Sequence, residues 1–265
     1  MRVFAEGVGL AGPGLPGWKA SRATLAGFGA YTRAPTAAAA SELLPAAERR
    51  RVGTPVKLAL AAGSEAVGAA GRDIATMATV FASSSGDCDN VHHIFEALAS
   101  PERQVSPTRF HNSVHNAVAG YWSIAAKCRQ ASTSLCCHDA SFAAGLLETT
   151  VQTGAGDGPV ALIAYDHPYP EPLNSARPVG GEFGVALVLA PRATSRATAA
   201  LDIEFVPRDA DATRMDDAGL EALRCAVPAA RSLPLLAALA GEGRATVILG
   251  YVAGTHLRIA VAPCA

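Results

Sequence analysis

Residues 132–148 read STSLCCHDASFAAGLLE. Four β-compatible residues run into a polar corner, and a helix of small residues follows. A strand that turns sharply into a helix presents a side chain at the helix N-terminus, where the positive end of the dipole lowers a thiol pKa. Cys137 or His138 stands at that corner. Nucleophilic catalysis by the thiol also needs a base and an oxyanion hole. Only His167 and His256 lie downstream, and neither sits in a supporting motif. The stretch thus predicts strand then helix and leaves its chemistry open between a Cys nucleophile and a structural turn.

The same alternation extends outward from it. Residues 2–10 place Val3, Ala5, Val8 and Leu10 along a strand that meets the turn GPGLPG. Residues 18–55 read as irregular apart from a short helix at 42–51. Residues 55–70 read as a helix from their Ala and Leu content and the spacing of Val56, Leu60 and Val67. TMATVFA (76–82) is a continuous apolar run suited to a strand buried on both faces. Helices are expected at 90–98 and, after an extended VSP, at 112–128. Downstream follow a helix at 141–153, strands at 158–166, 184–190 and 201–206, and helices at 216–226 and 233–239. A hairpin of 246–251 and 257–261 turns about VAGTH. Such alternation predicts an α/β layered fold with no dividing linker.

The chain has 265 residues, half of them hydrophobic and 17% charged, so a large core is easily buried and disorder is not expected. A net charge of −1 provides no basic field for nucleic acid or an anionic membrane. No apolar run approaches a bilayer span, and the first residues make a poor signal peptide, so a cytoplasmic protein is expected. The six cysteines lack zinc-type C-x-x-C spacing and are expected to be reduced.

His111 and His115 lie four apart, each followed by an Asn. On one helix they would share a face, as in a zinc-protease helix, but Asn112 replaces the Glu that chemistry requires. No third ligand stands nearby, so no metal site is expected. The two imidazoles and two amides read instead as satisfying one another and a loop. SSSGDCD (83–89) has neither G-K-[ST] nor G-x-G-x-x-G, which argues against a nucleotide loop, and no cofactor is expected.

Taken in order, several stretches resemble the β-ketoacyl synthases of the thiolase fold. RVFAEGVGLAGPG is similar to their opening strand and Gly-rich turn, and TVFASSSGD to the strand and loop after their first helices. VSPTRFHNSVHNAVAGYWSIAAK resembles their VSP…N-x-x-AG-x-x-x-I helix, with Asn116, Ala119 and Gly120 at matching places. STSLCCHDASFAAGLLE occupies their nucleophile elbow, GDGPVALIAYD the strand after it, and GGEFGVALVLA a further strand. ALDIEFVPRDAD and GYVAGTH are similar to pieces of the second half. The family's His motifs, HGTGT and N-x-x-x-GH, are absent, as is its TACSS-type elbow context.

The resemblance implies a single thiolase-like domain (1–265) with α-β-α-β-α layering. Its first half (1–190) would be complete and its second half (191–265) shortened. The look is that of a truncated, chain-length-factor-like subgroup found with aryl-polyene and type II fatty acid or polyketide synthesis. It implies a non-catalytic subunit that pairs with an active ketosynthase, shapes its acyl tunnel and meets acyl carrier protein. Phe110, His111, His115, Asn116 and Ser134 would then be tunnel-wall and interface residues, with Cys137 or His138 at the nucleophile position. Two rivals remain: a diverged acyltransferase or ketosynthase using Cys137, with His138 or a downstream His as its base, and a homodimer that binds acyl carrier protein without chemistry.

Overall fold

The computed structural model describes residues 1–156, 158–207, 211–252 and 254–264. The strands are β1 (Arg2–Ala11), β2 (Ala78–Ala82), β3 (Ser132–Leu135), β4 (Val160–Asp166), β5 (Phe183–Ala190), β6 (Ala199–Pro207), β7 (Ala245–Gly250) and β8 (Thr255–Pro263). The helices are α1 (Trp18–Leu25), α2 (Ala46–Arg49), α3 (Thr54–Ala69), α4 (Cys88–Ala99), α5 (Pro107–Asn112), α6 (Ala117–Ala126), α7 (Ser141–Ala155), α8 (Leu173–Ala176), α9 (Ala218–Ala226) and α10 (Leu233–Ala240). Single 3-10 turns occur at Ile74–Thr76, His138–Ala140 and Ala229–Ser232. Ala253 of the expected VAGTH turn, Asp157 of GDGPVALIAYD, and Arg208, Asp209 and Ala210 of ALDIEFVPRDAD lie outside the described residues.

All eight strands form one mixed sheet in the order β3-β2-β4-β5-β1-β6-β8-β7. The first half supplies five of them. β4 and β5 are buried along their whole length because helices cover both faces. Val160, Leu162, Val185 and Leu187 face a core shared with α7, while Ala161, Ile163, Ala186 and Val188 face one shared with α3 and α6. That explains the continuous apolar runs in the sequence. α3 lies so close over β1 that a Cβ on Gly9 would come within 1.9 Å of the Ala62 carbonyl oxygen and one on Gly7 within 2.1 Å of the Ala66 carbonyl oxygen, which accounts for these two glycines.

The second half adds β6, β8 and β7 to the β1 edge, with Arg2–Ala5 facing Ala199–Asp202. Here the alternation is two-faced. Leu201, Ile203, Leu257 and Ile259 point to the core against α10, and the outer face carries the ion pairs Arg2–Asp202 and Arg258–Glu204. The fold is the thiolase-like α/β class that the sequence implied, with a complete first half and a reduced second half. The layering is simplified, because the strands of both halves share one sheet and the second half's outer face is left to charged side chains. Among the described residues after 190 there are three strands, β6, β7 and β8, and all join the one sheet.

Three local expectations change. The helix expected at 112–128 is shortened to α6, and His111 falls in the separate helix α5, which ends at Asn112, so His111 and His115 do not share a helical face. Asn112 is pinned instead by tertiary bonds, accepting from the Tyr121 hydroxyl at 3.0 Å and donating to the Arg51 carbonyl at 3.3 Å. The helix at 42–51 shrinks to α2. Finally, α1 forms within a stretch read as irregular; its first amide, Trp18 N–H, is capped by Glu65 from α3 at 2.7 Å, a partner 47 residues away.

Candidate functional site

β3 ends at Leu135 and α7 begins at Ser141, and the five residues between them form the elbow. His138 has a φ of 51°, a left-handed conformation that L-residues with bulky side chains seldom adopt. The strained position in a strand-to-helix elbow is the one that projects its side chain away from the sheet. The His138 side chain is accordingly 68% exposed. Ser141 locks the corner: its hydroxyl accepts from Cys137 N–H at 3.0 Å and donates to the His138 carbonyl at 2.7 Å.

The neighbouring thiols are differently engaged. Cys136 donates its S–H to the Ser84 carbonyl at 3.2 Å. Among the described residues, no hydrogen bond or ion pair engages the Cys137 thiol. His167 is buried beside β4, with Asp89 at 3.7 Å as its ionic neighbour, and His256 turns its Nδ1 to the Thr255 carbonyl. Neither provides the base that a Cys137 nucleophile needs. No group of three or more metal-ligating side chains is assembled among the described residues.

Asp139 beside the elbow is held by two arginines that the sequence reading did not single out. Arg177 donates to Asp139 at 3.0 Å and to the Ser84 hydroxyl at 2.7 Å, and Arg231 donates to the other Asp139 oxygen at 2.9 Å. Arg231 belongs to the second half, so the clamp ties the elbow to both halves of the chain. Its members lie 38 and 92 residues from Asp139, a separation with no periodic or motif signal.

Beside the elbow is a bare sheet edge. Among the described residues β3 pairs only with β2, and its outer edge is open. At the opposite end of the sheet the loop before α9 covers β7, through Thr213 N–H to the Ile248 carbonyl at 2.9 Å and Ile248 N–H to the Thr213 hydroxyl at 2.8 Å. α6 touches β3, and on α5, α6 and the segment between them Phe110 (69% exposed), Val114 and Ile124 are large exposed apolar side chains. They border an open groove of about 790 Å³ that Phe110, His111, Asn116 and Tyr121 also line. Gly120 opens onto the same groove, with no atom within 4 Å of where a Cβ would stand. His115 is exposed beside the groove, and Ser134 lies half-buried on the edge strand.

The profile of the β-ketoacyl synthase N-terminal domain matches residues 19–247. The chain belongs to the β-ketoacyl synthase family. A solved ketosynthase in complex with its chain length factor, from Xenorhabdus doucetiae, is 23% identical, covers 98% of this chain and 99% of its own, and superposes with a TM-score of 0.73. The ishigamide ketosynthase/chain length factor is 16% identical over 100% of this chain and 99% of its own, with a TM-score of 0.75. A type II polyketide acyl carrier protein in complex with its ketosynthase gives 13% identity, 99% coverage of both chains and a TM-score of 0.74. These likenesses establish the β-ketoacyl synthase fold over the full chain. No curated protein matched. No helix of the described residues is long and apolar enough to cross a membrane.

Proposed function

We propose that this β-ketoacyl synthase family member is a non-catalytic chain-length factor. It would pair with an active ketosynthase and wall its acyl tunnel during aryl-polyene, fatty acid or polyketide chain elongation on acyl carrier protein. The observation that carries the reading is the elbow: His138 takes the left-handed corner, and among the described residues no histidine is hydrogen-bonded to the Cys137 thiol beside it. Condensation requires a thiolate to hold the acyl chain and donors to stabilise the charge released by decarboxylation. We assign His138 to the nucleophile-equivalent position, and Phe110, His111, His115, Asn116 and Ser134 to the tunnel wall and interface. The proposed partners are the ketosynthase and acyl carrier protein, in the cytoplasm. The proposed division is one domain, with halves at 1–190 and 191–265.

The partner reading rests on an asymmetry of edges. One end of the sheet is covered by its own chain, and the other is bare; α6 touches it, and α5, α6 and the segment between them expose Phe110, Val114 and Ile124. An uncovered strand with apolar neighbours invites pairing with another chain. A wall sorts chain lengths readily, since each CH₂ that finds no room forfeits about 0.8 kcal/mol of burial and a clash costs more.

The test is Cys137→Ala in the assembled complex with a ketosynthase encoded beside this gene. Turnover within about twofold of the wild type is expected, and intact mass after incubation with acyl carrier thioesters should show no adduct on this chain. A loss of several orders of magnitude with the complex still assembled, or an acyl group on Cys137, would favour the Cys137 enzyme instead.

A further inference from the structure

Two asparagines hold the segment that carries Phe110. In α5 the buried residue is Asn112 and in α4 it is Asn90, each 8% exposed. Neither helix buries an apolar side chain: Phe95 and Leu98 of α4 and Phe110 of α5 stand exposed. α4 packs chiefly on α5, so apolar burial does little to fix the pair. α5 has only six residues and no side-chain cap at its start, too little to hold a helix in place by itself.

Polar bonds set its position instead. Asn90 Nδ2 donates to the Arg109 carbonyl at 2.7 Å. Asn112 accepts from the Tyr121 hydroxyl at 3.0 Å and donates to the Arg51 carbonyl at 3.3 Å. Among the described residues, these three are the hydrogen bonds that tie α5 to residues outside its own turn. Each ends on a fixed point. Tyr121 is buried in α6, Arg51 leads into α3, and the Asn90 amide is itself held by Asp87 at 3.1 Å. The tethers fall on residues 109 and 112 and so bracket Phe110. An amide suits position 112 because it donates and accepts at once; a carboxylate could not donate, and a leucine could do neither.

We propose that Asn112 and Asn90 are positioning residues for chain length: bonded to Tyr121, Arg51 and Arg109, they fix where Phe110 stands on the groove. The inference rests on the chain-length-factor reading, in which this groove measures the acyl chain. A wall separates lengths only if it holds its place when a longer chain presses on it. In a core, close packing provides that stiffness; here three directional bonds provide it. The Tyr121 ring lines the groove, but its hydroxyl is engaged by Asn112, which does not. Tyr121→Phe therefore removes a tether and leaves the ring.

The test is the product distribution of the complex with the ketosynthase encoded beside this gene, read by mass spectrometry as the ratio of the next longer chain to the main one. A ratio does not depend on how much complex assembles, so a merely structural loss leaves it unmoved. Removing one buried bond shifts a local balance about fivefold. Tyr121→Phe and Asn90→Leu should each raise the ratio by a factor of that order, and the double variant by more. Asn112→Leu cuts two bonds at once and is the variant most at risk of not folding, so the milder pair carries the test. Phe110→Ala is the control for the underlying reading. An unmoved ratio in either single variant, beside a shifted one in Phe110→Ala, would overturn the positioning role and keep the wall. An unmoved ratio in Phe110→Ala as well would remove the wall, and this inference with it.

Discussion

Glu6 and Asp166 are both buried carboxylates, but their company differs. Burial pushes the Glu6 carboxyl up, yet the bidentate Arg72 guanidinium, at 2.8 Å to each oxygen, and the Thr194 hydroxyl at 2.7 Å hold it below the usual range. Asp166 is met instead by neutral donors, the Ser84 and Ala229 amides and the Ser83 hydroxyl. The Glu6 contribution to stability is present above its unfolded value and is lost as pH falls through its lower folded value. Glu6→Gln should therefore cost about 2 kcal/mol at pH 7, since the partly exposed Arg72 can turn to water. The cost should shrink below pH 4, and urea unfolding of both chains across pH 3–8 measures it. An equal cost at pH 3 and pH 7 would show that the ion pair is not its source. Neither carboxylate was legible in the sequence, because its partners are 66 and 63 residues away or more. The elbow was legible because it is local: strand, corner and helix are contiguous.

At the scale of elements, the strands of the first half were readable because burial on both faces writes an unbroken apolar run. The helices were less so. α1 and the break between α5 and α6 are set by Glu65, Tyr121 and Arg51, contacts that no window of sequence contains. β3 is the edge strand on which the proposed pairing turns. Thr133 meets Gln152 of α7 at 2.9 Å, so by alternation Ser134 faces the side of α6, which exposes Ile124. Ser134→Arg should leave the chain folded and break association, because the guanidinium would enter the contact without a carboxylate to pair it. Thermal unfolding of the isolated variant within a few degrees of wild type, with loss of the complex in size-exclusion chromatography, is the expected pair of results. Unchanged assembly would remove β3 from the interface.

The whole molecule is an α/β/α sandwich on one side of β1 and an open-faced sheet on the other. The open face is covered by the charges of Arg2, Asp202, Glu204 and Arg258, so it is already suited to water. The bare strand β3 carries no such charges, and α5, α6 and the segment between them expose Phe110, Val114 and Ile124. Obligate interfaces of this kind commonly bury roughly 2,000 Å² or more. The proposed pairing predicts a stable dimer, with a ketosynthase where one is present and with a second copy otherwise; sedimentation of the chain as a compact monomer at micromolar concentration would count against it. Phe110 divides contact from wall. It is 69% exposed at the groove's border, so its loss removes side-chain volume from the groove while leaving β3 intact. In the complex, Phe110→Ala should keep the sedimentation coefficient unchanged and lengthen the product, whereas Gly120→Leu, filling the same groove from its floor, should shorten it. Mass spectrometry of acyl chains released from the carrier reads both shifts. An unchanged product distribution in both variants, with the complex intact, would mean that this groove does not measure the chain.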